Sequence, residues 1–197
     1  KRLTVAPHLP GDWNWWKARG IRIGSSTVDL AYRNDAGTIT FEVRPRNGGG
    51  YTLEFSPGLS PNATVQHVEV NGRTAKFDVR RSPEDQHVVV SVPLSDNSTV
   101  RIATKNDFAL ALSPALPELG APSRNLKVVS ETWSSDFRSV IYELAGIAGR
   151  TYEVGFRGTV AGADGAELLR QPGTMRVKFP AGEPGYTHTR FTLHLPR

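Results

Sequence analysis

Val28-Asp29-Leu30-Ala31-Tyr32-Arg33-Asn34-Asp35-Ala36-Gly37-Thr38-Ile39-Thr40-Phe41-Glu42-Val43 decides the fold. Val28, Leu30 and Tyr32 alternate with Asp29, Ala31 and Arg33. Ile39, Phe41 and Val43 alternate with Thr40 and Glu42. Successive strand side chains point to opposite faces, so a period of two marks a half-buried strand. Asn34 to Gly37 separates the two runs and supplies turn residues. The pattern predicts two antiparallel strands joined by a tight turn.

The same period continues along the chain. Tyr51, Leu53 and Phe55 form one run, Val68 and Val70 another, and Phe77 and Val79 a third. Val88, Val90 and Val92 follow, then Val100 and Ile102. Turn signals separate them: Gly48-Gly49-Gly50, read as a hairpin loop, then Ser56-Pro57-Gly58, Asn71-Gly72 and Ser82-Pro83-Glu84-Asp85. Asn71-Gly72 is the sharpest of these, because both residues accept a positive φ and suit a two-residue type I′ hairpin. Sustained helical periodicity is missing. Asp12 to Lys17 and Pro114 to Leu119 offer at most one turn each. The fold class expected is all-β, with two antiparallel β-sandwich domains in tandem.

Three prolines between Ser113 and Ser123 mark the boundary, since proline cannot donate to a sheet ladder. The expected layout is a larger sandwich over 1–113, a Pro-rich linker over 114–123, and a smaller immunoglobulin-like sandwich over 124–197. Strands after the linker are expected at Leu126–Ser130, Val140–Leu144, Tyr152–Phe156, Met175–Phe179 and Phe191–Leu195.

Composition sets limits. The 197 residues are 38% hydrophobic and 22% charged, ordinary values for a globular chain. No apolar run approaches the roughly 18 residues of a membrane helix. There is no cysteine, which removes disulfides, thiol catalysis and cysteine-ligated metals. The compartment stays open, with a periplasmic or secreted location favoured over a cytoplasmic one. The chain has neither an initiator Met nor an apolar signal core, and reads as a processed chain or a piece of something longer. Net charge is +5, but the only adjacent basic pairs are Lys1-Arg2 and Arg80-Arg81. Nucleic-acid binders gather their cations on one face or helix, so neither nucleic acid nor membrane is expected as a partner.

No phosphate loop, nucleophile elbow or zinc-helix motif is present. His8, His67, His87, His188 and His194 are not at i, i+2 or i, i+4 spacing. Neither a metal site nor a cofactor is expected, although a metal site built from distant strands stays possible. Carboxylates such as Glu42, Glu54, Glu84 and Asp85 read as solvated strand faces and turns, and no catalytic pair is nominated.

The unusual cluster is Pro7-His8-Leu9-Pro10-Gly11-Asp12-Trp13-Asn14-Trp15-Trp16, which holds three of the four tryptophans. The fourth, Trp133, precedes Ser134-Ser135-Asp136. His8, Asp12, Trp13, Trp15, Trp16 and Trp133 are the candidate contact residues for a partner or a carbohydrate. Three readings stand. The rings plug the end of the first sandwich, with Asp12 capping a short turn; they dock on a neighbouring domain; or they stack sugars. A platform needs exposed, coplanar rings, and the adjacent Trp15 and Trp16 tend to point in different directions.

Leu3-Thr4-Val5-Ala6-Pro7-His8-Leu9-Pro10-Gly11-Asp12-Trp13, with Ile21-Arg22-Ile23-Gly24 and Val28-Asp29-Leu30, resembles the start of the C-terminal β-sandwich of bacterial glycoside hydrolases with an (α/α)6 barrel. The relatives are glycogen-debranching-like amylo-α-1,6-glucosidases and, more loosely, α-L-rhamnosidases. Val68-Glu69-Val70-Asn71-Gly72 also recurs in such sandwiches, and the resemblance covers roughly residues 3–105. It implies a non-catalytic accessory module that supports an upstream catalytic barrel absent from this chain. The family's acid and base lie in that barrel, so no catalytic residue carries over and the chain alone is expected to be inactive. Two alternatives are an independent carbohydrate-binding module and a secreted immunoglobulin-like interaction protein.

Overall fold

The computed structural model describes residues 2–47, 50–93, 95–112 and 116–196, and their only regular elements are strands. The chain divides into two compact units. Unit 1 is Lys1–Leu9 with Trp13–Asp107, and unit 2 is Pro10–Asp12 with Phe108–Arg197.

Unit 1 carries β1 (Arg2–Val5), β2 (Trp15–Ile23), β3 (Ser26–Asp35), β4 (Thr38–Asn47), β5 (Thr52–Phe55) and β6 (Gly58–Leu59). It continues with β7 (Thr64–Val70), β8 (Arg73–Thr74), β9 (Asp78–Arg81), β10 (Gln86–Pro93) and β11 (Ser98–Lys105). One sheet has the order β1-β5-β10-β6, with β9 also paired to β10; the other runs β2-β3-β4-β11-β7-β8. The alternation read from the sequence places Val28, Leu30, Tyr32, Ile39, Phe41 and Val43 inside. They meet Leu53, Phe55, Val88, Val90 and Val92 of the opposite sheet in one core. Phe41 and Phe55 stack across that core at 4.0 Å between ring centres.

Three details depart from the simplest reading. β1 pairs with β5 in parallel, Leu3 opposite Leu53; every other strand pair among the described residues of unit 1 is antiparallel. β9 is exposed along its whole length, and Phe77 and Val79 are largely outside the core. Glu54, read as a solvated face, is buried, and its two oxygens meet Arg2 and Arg80 at 3.2 Å each. A buried carboxylate needs such partners to offset its lost hydration.

The turns follow the expected chemistry. Asn71 and Gly72 have φ of 52° and 74° and join Val70 to Arg73, a two-residue hairpin with both central residues left-handed. Gly48 and Gly49 of the expected Gly48-Gly49-Gly50 hairpin loop lie outside the described residues.

Unit 2 carries β12 (Ala109–Ala111), β13 (Lys127–Trp133), β14 (Ser139–Ile147), β15 (Thr151–Arg157), β16 (Gly162–Asp164), β17 (Glu167–Leu168), β18 (Thr174–Lys178) and β19 (Tyr186–His194). Its sheets run β12-β15-β18-β17 and β13-β14-β19-β16. Val140, Tyr142, Leu144, Phe191 and Leu193 of one sheet pack with Val154, Met175 and Val177 of the other. Burial pushes the Tyr142 phenol well above its usual range, with Glu131 adding to the effect.

The second unit begins earlier than the prolines suggested. Ala109 to Ala111 pair with Arg157 to Gly155, so Phe108–Leu112 belongs to unit 2 and not to the sandwich expected over 1–113. Leu116 and Leu119 in the Pro-rich stretch are fully exposed; Ser113, Pro114 and Ala115 lie outside the described residues. Gly11 explains why Pro10–Asp12 also joins unit 2. A Cβ there would lie 2.5 Å from the carbonyl oxygen of Leu110, so only glycine allows that approach.

Candidate functional site

β2 sorts the tryptophans. Asp12 to Lys17, which offers at most one helical turn in sequence, instead enters a strand at Trp15. Alternation then sends Trp15 outward and Trp16 inward. Trp16 lies flat against Tyr32, 6.0 Å between ring centres and 2° from parallel, and tilts onto Phe41. Its Nε1 is buried without a hydrogen-bond partner among the described residues. Trp15 is 64% exposed and Trp13 57%.

The outer face of β2-β3-β4 holds a groove of ≈ 810 Å³. Cross-strand register builds it: Trp15 lies opposite Arg33, and Arg33 opposite Thr40. One step along, Lys17 lies opposite Ala31, and Ala31 opposite Glu42. The methyl of Ala31 is short, so it forms a floor between the longer Lys17 and Glu42. Trp15 and Arg33 close one end, and Arg44 stands toward the other.

Two further features set this face. Arg19 and Gly20 together oppose Asp29, a β-bulge marked by the register shift between Ala18 and Ile21. Gly20 takes a φ of 68° there and donates its N–H to Asp29 Oδ1 at 2.8 Å. Arg46 grips both oxygens of Asp29, at 2.7 Å for the shortest bond. The Arg46 guanidinium and the Gly20 N–H hold the Asp29 carboxyl below the usual carboxylate range. Glu42 bonds Arg44 at 2.8 Å, and Asp35 pairs with Arg33. The groove therefore offers one flat aromatic wall, an alanine floor and polar flanks, among which Arg33–Asp35 and Arg44–Glu42 are ion pairs.

The other candidate residues fall elsewhere. Asp12 sits in an exposed turn with Gly11 in unit 2, and no helix follows for it to cap. Trp133 is half-buried in unit 2, packs edge-on against Phe108, and donates Nε1–H to Glu131 at 2.6 Å. It is a core-edge residue. His8 is exposed and meets Asp85 and His87, a turn carboxylate and a histidine to which the sequence alone assigns no role. In sequence Arg33, Glu42 and Arg44 are polar strand positions and Lys17 ends the stretch with a possible helical turn; none is a candidate contact residue. For Arg33, Glu42 and Arg44 outward alternation with core residues is the available signal.

No family model matches the chain, and no curated protein matches it. Among solved structures, a GH127 β-L-arabinofuranosidase from Geobacillus stearothermophilus T6 aligns at 13% identity with a TM-score of 0.32. That alignment covers 91% of this chain and 29% of the arabinofuranosidase, so the chain spans less than a third of that protein's length.

Proposed function

We propose that this chain is a non-catalytic β-sandwich module of a carbohydrate-active enzyme, and that its β2-β3-β4 face holds a polysaccharide. The observation that carries the reading is Trp15, exposed at 64% on the wall of an open groove lined by Lys17, Arg33, Thr40, Glu42 and Arg44. A flat indole offers apolar area to the C–H face of a pyranose, while neighbouring polar side chains take its hydroxyls. Trp16, by contrast, serves the core, so the aromatic cluster divides between structure and recognition.

The carboxylates of this face favour binding over hydrolysis. A glycosidase needs one carboxylic acid that keeps its proton near neutral pH. Asp29, Asp35 and Glu42 are each paired with an arginine, and Arg46 with the Gly20 N–H holds Asp29 in its ionised form. The resemblance of residues 3–105 to the sandwich that follows an (α/α)6 barrel supports an accessory place beside a catalytic domain. Trp13, exposed and outside the groove lining, supports a second role for the same segment, as a contact with that domain.

Affinity electrophoresis through gels containing xylan, arabinan or an α-glucan tests the reading. At least one polysaccharide should retard the chain, Trp15→Ala should remove the retardation, and no reducing sugar should be released. Equal retardation of Trp15→Ala and the unmodified chain would place binding elsewhere.

A further inference from the structure

We propose that His8, Asp85 and His87 form a site for one divalent metal ion of the zinc type, with a coordination position left for water. Nε2 of His8 lies 3.2 Å from Oδ2 of Asp85, and Nε2 of His87 lies 3.2 Å from the same oxygen. All three ligand atoms fall within 4.8 Å of one another. In a tetrahedral site with bonds of about 2.0–2.1 Å, neighbouring ligand atoms are about 3.3–3.4 Å apart. Two of the three edges already have nearly that length.

The surroundings aim these atoms. His87 Nδ1 is 2.8 Å from the carbonyl oxygen of Ser56. A carbonyl only accepts, so Nδ1 carries the hydrogen, and Nε2 is the nitrogen left to ligate an ion. Nε2 points at the Asp85 carboxylate oxygen, so the space between them takes either a proton or a metal ion. Ligating histidines commonly hand their second N–H to a carbonyl in this way. Asp85 is fixed similarly: the Ser82 hydroxyl donates to Oδ1 at 2.6 Å, leaving Oδ2 for the two imidazoles. His8 lies over Gly58, where a Cβ would stand 2.6 Å from Nε2. Gly58 is the partner of His87 in the β6–β10 ladder, so the missing side chain is what lets the two rings converge.

The donor set is two imidazole nitrogens and one carboxylate oxygen. It suits Zn²⁺, Co²⁺, Ni²⁺ or Cu²⁺ better than Ca²⁺ or Mg²⁺, which prefer oxygen throughout. An ion there would tie the segment after β1 to β10 and to the β9–β10 turn within unit 1. It shares no residue with the groove beside Trp15.

Chelator-treated full chain titrated with ZnCl₂, followed by calorimetry and by thermal unfolding, tests the site. One ion should bind per chain and raise the melting temperature. His8→Ala removes an exposed ligand without touching the core, and should weaken binding at least tenfold; Asp85→Asn should do the same. Ser82→Ala, which only loosens the carboxylate, should weaken it about tenfold. His188→Ala, at an imidazole–carboxylate pair in unit 2, should leave it unchanged. Absence of saturable binding would overturn the proposal. So would full affinity in His8→Ala, or loss of affinity in His188→Ala.

Discussion

Trp15 and Trp16 are neighbours on one strand and face opposite sides of its sheet: Trp16 stacks on Tyr32 in the core while Trp15 stands 64% exposed. The two rings should therefore respond differently to truncation. Trp16→Ala is expected to cost about 2–4 kcal/mol, somewhat below a fully buried ring. Trp15→Ala should stay within about 0.5 kcal/mol, as for most exposed sites. Urea unfolding of both variants measures the contrast. Equal losses would mean that Trp15 also packs.

Gly72 has a φ of 74° in the β7–β8 turn. Gly72→Val forces a β-branched side chain into the left-handed region, and a loss of about 1 kcal/mol or more is expected. Gly72→Asn should cost far less, since asparagine tolerates that region. The ordering of the two variants in denaturant midpoint checks the turn type.

Unit 2 has its own test at Gly146. A Cβ there would lie 2.7 Å from Phe179 and 2.9 Å from Tyr152. Gly146→Ala should destabilise by about 1–3 kcal/mol through overpacking. Combining it with Phe179→Leu should recover part of that loss; a strictly additive double variant would show that the two positions do not meet.

Asp29 links stability to pH. Arg46 and the Gly20 N–H favour its ionised form, so its folded pKa lies below the unfolded one. The stabilisation is present above the ordinary carboxylate range, near pH 4, and is lost as pH falls through the lowered folded value. Asp29→Asn should lower the urea midpoint at pH 6 and much less at pH 2. An equal effect at both would attribute the loss to the side chain's shape and not to its charge.

Much of the fold was legible because it is local. Val28, Leu30 and Tyr32 alternate with polar residues, and that alone fixes which face of β3 is buried. Asn71-Gly72 names its turn by backbone preference. What was illegible depends on distant pairing. Phe108 to Leu112 alternates as well as any strand, and nothing within it says that its partner is Gly155–Arg157 and not a strand of the first sandwich. The parallel pairing of β1 with β5, and the burial of Glu54 between Arg2 and Arg80, need the same long-range information. The site divides along this line too. The opposite directions of Trp15 and Trp16 follow from strand alternation, whereas the groove depends on Ala31 lying between Lys17 and Glu42 across three strands. The meeting of His8 with Asp85 and His87 has no trace in sequence spacing, because the β6–β10 ladder makes it.

The sharpest test of the polysaccharide-binding face is a nitrogen-15 NMR titration of the full chain with oligosaccharides from whichever polysaccharide retards it. Saturable shifts of the Trp15 indole N–H and of the Lys17, Arg33 and Glu42 amides, with the Trp133 indole unmoved, are the predicted result. Shifts confined to unit 2, or a Trp15 resonance that stays in place while others saturate, would contradict it.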